Sequence, residues 1–177
     1  MKKMDTRKLV LSGVFLALGL VLPFITGQLQ EIGSMLLPMH IPVLLCGFVC
    51  GAPYGILVGF ITPLLRSAIF SMPPLFPKAC SMAFELAAYG FLAGFCYQKL
   101  SDRKPVIRSY GALILAMLGG RIVWAAATKL LYSVIGMNFT MQLFFAEAFV
   151  NAMPGIVLQL ILIPVLVLAF RKARYME

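Results

Sequence analysis

Long apolar runs, broken by short polar or proline-containing connections, fill the chain almost from end to end. Crossing the hydrocarbon core of a bilayer takes about 20 apolar residues in a helix, and most of the runs approach or exceed that length. Glycines and prolines concentrate in the connections, where they end one helix and allow the chain to turn. The pattern predicts six helices, at residues 8–27, 38–51, 54–70, 78–100, 109–135 and 142–170.

The composition places these helices in a lipid bilayer and not in the core of a soluble domain. Hydrophobic residues make up 62% of the chain and charged residues 12%, against about 25% charged residues in soluble domains. We therefore predict an all-α integral membrane protein, with residues 1–177 forming one compact bundle of six transmembrane helices. The first run is longer than the apolar part of a cleaved signal peptide, about 7–15 residues, so we expect it to be retained.

The net charge of +9 is arranged around the apolar runs and not along a nucleic-acid-binding face. Eleven of the 15 basic residues form three clusters: Lys2, Lys3, Arg7 and Lys8; Lys99, Arg103, Lys104 and Arg108; and Arg171, Lys172 and Arg174. Cytoplasmic segments beside membrane helices are enriched in Lys and Arg, and six crossings place all three clusters on one side. We expect both termini in the cytoplasm of a multi-pass cell-membrane protein, and no nucleic-acid partner.

Six polar side chains stand out inside the predicted helices, where such groups are costly unless they bind something or pair with one another. They are Arg66, Glu85, Arg121, Lys129, Glu147 and Asn151. The predicted topology puts all of them between the membrane midplane and the outer surface, which indicates a substrate-binding cup open to the outside. Glu147 and Asn151 stand four residues apart, so a regular helix would present them on one face.

Spacing on the fifth predicted helix adds an aromatic residue to this set. Arg121, Trp124 and Thr128 recur at helical spacing, and Lys129 adjoins their stripe. An aromatic wall beside cations is typical of a pocket for a small polar molecule. We expect Arg121, the deepest cation, to bind a ligand carboxylate and Trp124 to supply an apolar wall.

The membrane charges do not balance, which favours an anionic ligand. Three cations, Arg66, Arg121 and Lys129, face two acids, Glu85 and Glu147, so pairing among themselves leaves one cation over. Lys129 or Arg66 would then assist Arg121, Glu85 would orient Arg121 or bind a ligand hydroxyl, and the Asn151 amide would hydrogen-bond the ligand. The competing interpretation is that Arg121 pairs only with Glu85 and has a structural role.

Other chemistry-bearing residues are sparse. His40, the one histidine, begins the second run and fits an interfacial polar residue as well as a ligand contact. The four cysteines lie in apolar stretches without a CxxC pair, so we predict neither a metal site nor a cofactor. Nucleophilic triads and glycine-rich phosphate loops are absent from the sequence, and we do not expect an enzyme.

Five short segments give the chain a family likeness. They are Gly13-xxx-Ala17, LPMHIP at 37–42, GAPYG at 51–55, TPLLRS at 62–67 and MAFELA at 82–87. With six predicted helices in 177 residues, the chain resembles the substrate-binding S component of an energy-coupling factor (ECF) transporter over nearly its whole length.

The resemblance implies a partner set and a place for the substrate. S components capture a vitamin or related micronutrient for bacterial ATP-driven uptake, together with a transmembrane coupling protein and two ATPase subunits. A small-residue pattern on helix 1 contacts the coupling protein, and Gly13 and Ala17 occupy it here, with Gly in place of the first Ala. The family's pocket lies in the outer half, between helices 4 to 6 and the loop after helix 1.

The substrate is less closely defined than the family. The LPMHIP segment resembles the subgroup assigned to pantothenate, and an anionic vitamin agrees with the excess of membrane cations. Pyridoxine-type compounds, lipoate and riboflavin remain open as substrates. A stand-alone facilitator or small channel, which would transport without any ATPase, remains open as a different function.

Overall fold

The computed structural model describes residues 5–25, 35–137, 140–173 and 175, and all regular structure within them is helical. The α-helices are α1 (Thr6–Ile25), α2 (His40–Cys50), α3 (Ala52–Phe70), α4 (Cys80–Lys99), α5 (Pro105–Val134), α6 (Met141–Phe145) and α7 (Met153–Lys172). A π-helical turn, Leu75–Ala79, leads into α4, and a second one, Ala146–Val150, joins α6 to α7. The predicted end of the first helix at residue 27, and most of the connection that follows it, lie outside the described residues.

Five helical segments are long and apolar enough to cross a membrane, which confirms the all-α membrane fold. They are Thr6–Phe24, Ala52–Phe70, Leu75–Lys99, Pro105–Val134 and Met153–Lys172. The sixth, α2, has 11 residues. At about 1.5 Å per residue α2 is too short by itself to cross a hydrocarbon core of about 30 Å.

The short helix α2 lies inside the bundle. All 11 of its residues are buried, and it packs against α1, α3, α4 and α7. Gly51 ends it with a φ of 96°, a left-handed conformation that glycine adopts without a steric penalty. The chain can therefore reverse at once into α3, where Pro53 stands in the first turn and needs no hydrogen-bond donor.

Helices α3 and α4 touch backbone to backbone at two glycines. A Cβ atom on Gly55 would collide with the carbonyl group of Gly90, and one on Gly90 would collide with the backbone of Gly55. Gly47 of α2 approaches the same Gly90 carbonyl. Small residues allow membrane helices to pack this closely, and the contact fixes α4 against α2 and α3.

The sixth predicted helix, 142–170, is wrong as a continuous helix. The structure divides it into α6, the π-helical turn and α7, with the Asn151 N–H donating to the Ala146 carbonyl at 2.8 Å. The cause is Pro154, which has no N–H group and clashes with the turn before it inside a helix. At the start of α7 that donor is not needed, so a new helix begins there.

Proline also moves the start of the fifth predicted helix. We expected that helix to begin at residue 109, but α5 begins at Pro105, whose fixed φ suits a first helical position. The fourth helix starts within two residues of the predicted position 78: the chain is extended at Phe76, and regular α-helix starts at Cys80.

The two ends of the described chain meet. The Arg7 guanidinium lies 4.7 Å from the centre of the Tyr175 ring, and Phe15 packs edge to face on Phe170 at 6.2 Å. The start of α1 and the end of α7 are therefore at the same end of the bundle, as the six-helix arrangement with basic clusters on one side requires.

Candidate substrate-binding site

One buried carboxylate holds two of the predicted site residues together. Glu85 of α4 is 2% exposed, and Arg121 of α5 donates a hydrogen bond from Nη1 to its Oε1 at 3.0 Å. His40 of α2 brings its Nε2 to 3.5 Å from the same oxygen, longer than a well-formed hydrogen bond. Residues from three helices, distant in sequence, thus form a single polar cluster away from the end where the chain termini meet.

Close helix packing places these side chains. Gly120 of α5 lies directly against the Tyr89 ring, so a Cβ atom there would collide with it, and the neighbouring Arg121 is brought over α4. Tyr89 lies one turn after Glu85 and packs edge to face on the His40 ring, with centroids 5.0 Å apart. His40 is 1% exposed, so the interpretation as an interfacial residue is wrong.

The Arg121 guanidinium keeps hydrogen-bonding capacity beyond its contact with Glu85. Its Nε and Nη2 are buried and have no hydrogen-bond partner among the described residues. A buried donor without a partner costs about 1–3 kcal/mol. These two nitrogens form one edge of the guanidinium, and such an edge binds a carboxylate through two parallel hydrogen bonds.

An apolar cavity of about 240 Å³ lies beside Arg121, between α5 and α7. Its lining consists of Tyr89, Ile114, Met117, Leu118, Arg121, Met153, Ile156 and Leu160. The volume is slightly below the usual range of ligand sites, about 300–1,000 Å³. The exposed wall is almost wholly apolar, and the buried guanidinium of Arg121 adjoins it, so the cavity suits a ligand with an apolar body.

Trp124 lies one turn from Arg121 but is not among the residues that line this cavity. Its half-buried ring stacks on Phe144 of α6, with centroids 6.2 Å apart and planes at 28°. Thr128 is 3% exposed, so the predicted stripe of Arg121 and Thr128 does face the protein interior. Trp124 supports the α5–α6 contact beside the cavity.

The comparisons with known proteins now identify the chain at the level of its family. Residues 7–167 match the model of the family described as ECF transporter, substrate-specific component. The chain belongs to this family. No curated protein and no solved structure matches it. An S component is a transporter subunit and not an enzyme: it captures a small-molecule substrate and associates with ECF coupling and ATPase subunits in the cell membrane.

Arg66, another predicted site residue of this S component, makes its contacts elsewhere in the bundle. Arg66 donates from Nη1 to the Leu20 carbonyl of α1 at 2.7 Å. Its guanidinium also lies 4.8 Å from the Phe24 ring centre and 5.6 Å from that of Phe70. Arg66 therefore joins α3 to α1 and does not line the cavity.

Three further predicted residues, Lys129, Glu147 and Asn151, are exposed and lie outside the cavity wall. Lys129 is eight residues beyond Arg121, about 12 Å along the helix axis. Glu147 lies in the π-helical turn Ala146–Val150 and Asn151 follows it directly, so a shared Glu147–Asn151 face stays a prediction.

Two buried polar residues beside the site were missing from the predicted set. Tyr89 lines the cavity and is fully buried, and its position four residues after Glu85 was a usable signal. Gln159 of α7 is also fully buried, and neither atom of its amide has a hydrogen-bond partner in the described part of the chain. It is the single polar residue in the apolar run 153–170, between the cavity-lining Ile156 and Leu160.

The predicted coupling residues lie on a free face of α1. Gly13 and Ala17 are both exposed, and a Cβ atom on Gly13 would have no neighbour within 4 Å. The described helices of the bundle leave this face uncovered, so it is accessible to lipid or to another protein.

Proposed function

We propose that this S component captures a small monocarboxylate vitamin, with pantothenate as the first candidate, for ATP-driven uptake into a bacterial cell. One observation carries the proposal: the side chain of Arg121 lines an apolar cavity, and its Nε and Nη2 are buried without partners among the described residues. Glu85 holds the guanidinium from its other side. A ligand carboxylate would complete the hydrogen bonding of Arg121 while the ligand's body fills the cavity.

Size and charge support this class over two of the other vitamins. A cavity of about 240 Å³ is small for the three-ring flavin of riboflavin, and pyridoxine has no carboxylate for Arg121. Pantothenate is further supported by the LPMHIP segment, which resembles that of the pantothenate subgroup; its histidine, His40, lies 3.5 Å from Glu85 in the polar cluster. Lipoate is the second candidate, since it is also a monocarboxylate and the walls of the cavity are largely apolar.

We further propose that Gly13 and Ala17 form the contact with the coupling protein. Both are small, both are exposed, and they lie one turn apart on α1. Small residues at that spacing let a second helix approach closely in a membrane. The cavity would then open toward the outside, with both termini in the cytoplasm.

Mass spectrometry of small molecules released from the purified protein tests the proposed substrate. We expect pantothenate, and calorimetry should show that it binds more tightly than lipoate, pyridoxine or riboflavin. Recovery of a cationic or uncharged vitamin would contradict the proposal. Uptake by proteoliposomes that contain this chain alone would support the facilitator interpretation instead.

A further inference from the structure

We infer that this site accepts a monoanion and rejects the phosphorylated form of the same molecule, and that Glu85 sets this charge limit. The inference rests on the proposed function and adds a selectivity to it. It follows from the number of charges at the cavity and from where the remaining cations of the chain lie.

The charged groups already present at the cavity are Arg121 and Glu85. Among the described residues that line it, Arg121 is the single charged side chain, and Glu85 lies 3.0 Å from its guanidinium. The pair has no net charge. A bound ligand carboxylate would give Arg121, Glu85 and the ligand together a single net negative charge. Two hydrogen bonds from Arg121 would stabilise that carboxylate. A phosphate ester adds about 1.5 to 2 further negative charges at neutral pH.

No second arginine or lysine lines the cavity in the part of the chain that the structure describes, so none is placed there to neutralise the added charge. Arg66 contacts the Leu20 carbonyl on α1, Lys129 is exposed two turns away, and Lys78 is exposed before α4. Outside the described residues, the sequence has three basic residues, all near the chain ends: Lys2, Lys3 and Arg174. The segment 26–34 carries one charged residue, Glu31, which is an acid.

The remaining walls of the cavity are largely apolar. Leu118, Met153 and Leu160 offer no hydrogen bonds to phosphate oxygens. A charge that leaves water without a partner is strongly disfavoured. The carboxylate of Glu85 would also repel a dianion bound beside Arg121, so Glu85 orients the guanidinium and at the same time limits the charge that it can accept.

Calorimetry on the purified protein tests this inference with three probes: pantothenate, 4′-phosphopantothenate and the 4′-O-acetyl derivative, which keeps the single carboxylate charge of pantothenate. The acetyl group resembles the phosphate in bulk but adds no charge. We expect the phosphate ester to bind at least about 30-fold more weakly than pantothenate, the loss typical of an unpaired desolvated charge. The acetyl derivative should bind clearly better than the phosphate ester.

A matched pair of variants separates the role of Glu85 from a general effect of charge. Glu85→Gln should reduce the ratio between the affinity for pantothenate and the affinity for its phosphate ester at least about tenfold, the equivalent of about 1.4 kcal/mol. Asp102→Asn removes an acid from an exposed loop and should leave that ratio unchanged. If Glu85→Gln does not fold, the three wild-type affinities still decide whether the site has a charge limit.

The outcomes also distinguish the inference from the function on which it rests. The charge limit would be overturned if pantothenate and its phosphate ester bound with equal affinity, or if the phosphate and acetyl derivatives bound equally weakly. Either result would leave the proposed function intact. Failure of pantothenate itself to bind would overturn both.

Discussion

At the scale of single residues, the cations of the membrane region fall into different environments. Arg121 is buried beside Glu85, Arg66 is hydrogen-bonded to a backbone carbonyl, and Lys129 is exposed. Their sequence positions predicted the same outer half for all three. A backbone carbonyl leaves no signal in a sequence, so the partner of Arg66 could not be predicted, whereas a lone buried acid such as Glu85 did indicate a partner for Arg121.

These environments predict different effects on ligand affinity. Lys129→Gln should change the pantothenate dissociation constant by less than about fivefold, because exposed charges contribute about 0–1 kcal/mol. Calorimetry measures this directly. Arg66→Gln serves as the second comparison, since its contacts are with α1 and not with the cavity. A loss of more than about 30-fold for Lys129→Gln would place that side chain on the ligand, as its sequence position first suggested.

At the scale of helices, several glycines bring α3 and α4 into backbone contact, Gly55 and Gly90 among them. Gly90→Ala should destabilise the protein by about 1–3 kcal/mol, the usual cost of overpacking, because its methyl group would meet the backbone of Gly55. Thermal unfolding in detergent measures the effect. Gly13→Ala is the matched control, because a Cβ atom there has no neighbour within 4 Å. Equal unfolding temperatures for the two variants would contradict the close packing.

The free face of α1 makes a separate prediction about coupling. Replacing Gly13 and Ala17 together by Leu should abolish uptake and copurification of the coupling protein, because bulky side chains block close helix approach. Ligand binding should remain within about threefold of wild type, since neither residue packs against the bundle. Ala126→Leu, also at an exposed helical position, should leave uptake unchanged. Loss of ligand binding in the double variant would show that this face supports the pocket instead.

Helices were predictable from the sequence to the extent that apolar length and proline position define them. The starts of α2 and α3 lie within two residues of the prediction, because Pro38 marks the first and Gly51 with Pro53 marks the second. The break before α7 was missed although Pro154 stands in the run, because apolar residues predominate on both sides of it. Hydrophobicity reports burial in lipid or protein, and it does not report a missing backbone donor.

At the scale of the whole molecule, the bundle surrounds a buried central helix and brings the chain ends together. The contact between Arg7 and Tyr175 places the start of α1 and the end of α7 at one end of the bundle. The three basic clusters then predict that this end is cytoplasmic. A labelling experiment on intact cells determines which side of the membrane this end of the bundle faces.

Cysteine labelling of intact cells tests the orientation. In a background without native cysteines, a membrane-impermeant reagent should label Met137→Cys, on the exposed segment after α5, and should not label Ser101→Cys, on the exposed segment after α4. Both variants should react after the cells are permeabilised. Labelling of Ser101→Cys in intact cells would reverse the orientation and put the cavity on the cytoplasmic side.

The central claim is that Arg121 reads a ligand carboxylate, and calorimetry on substituted proteins tests it most directly. Arg121→Lys keeps the charge but loses the paired hydrogen bonds, so pantothenate should bind about 30- to several-thousand-fold more weakly. The double variant Arg121→Glu/Glu85→Arg restores an ion pair between α4 and α5 but moves the guanidinium away from its edge of the cavity. We predict that this swapped protein folds and still fails to bind. Wild-type affinity in the swapped protein would show that Arg121 is a structural partner of Glu85 and would contradict the account.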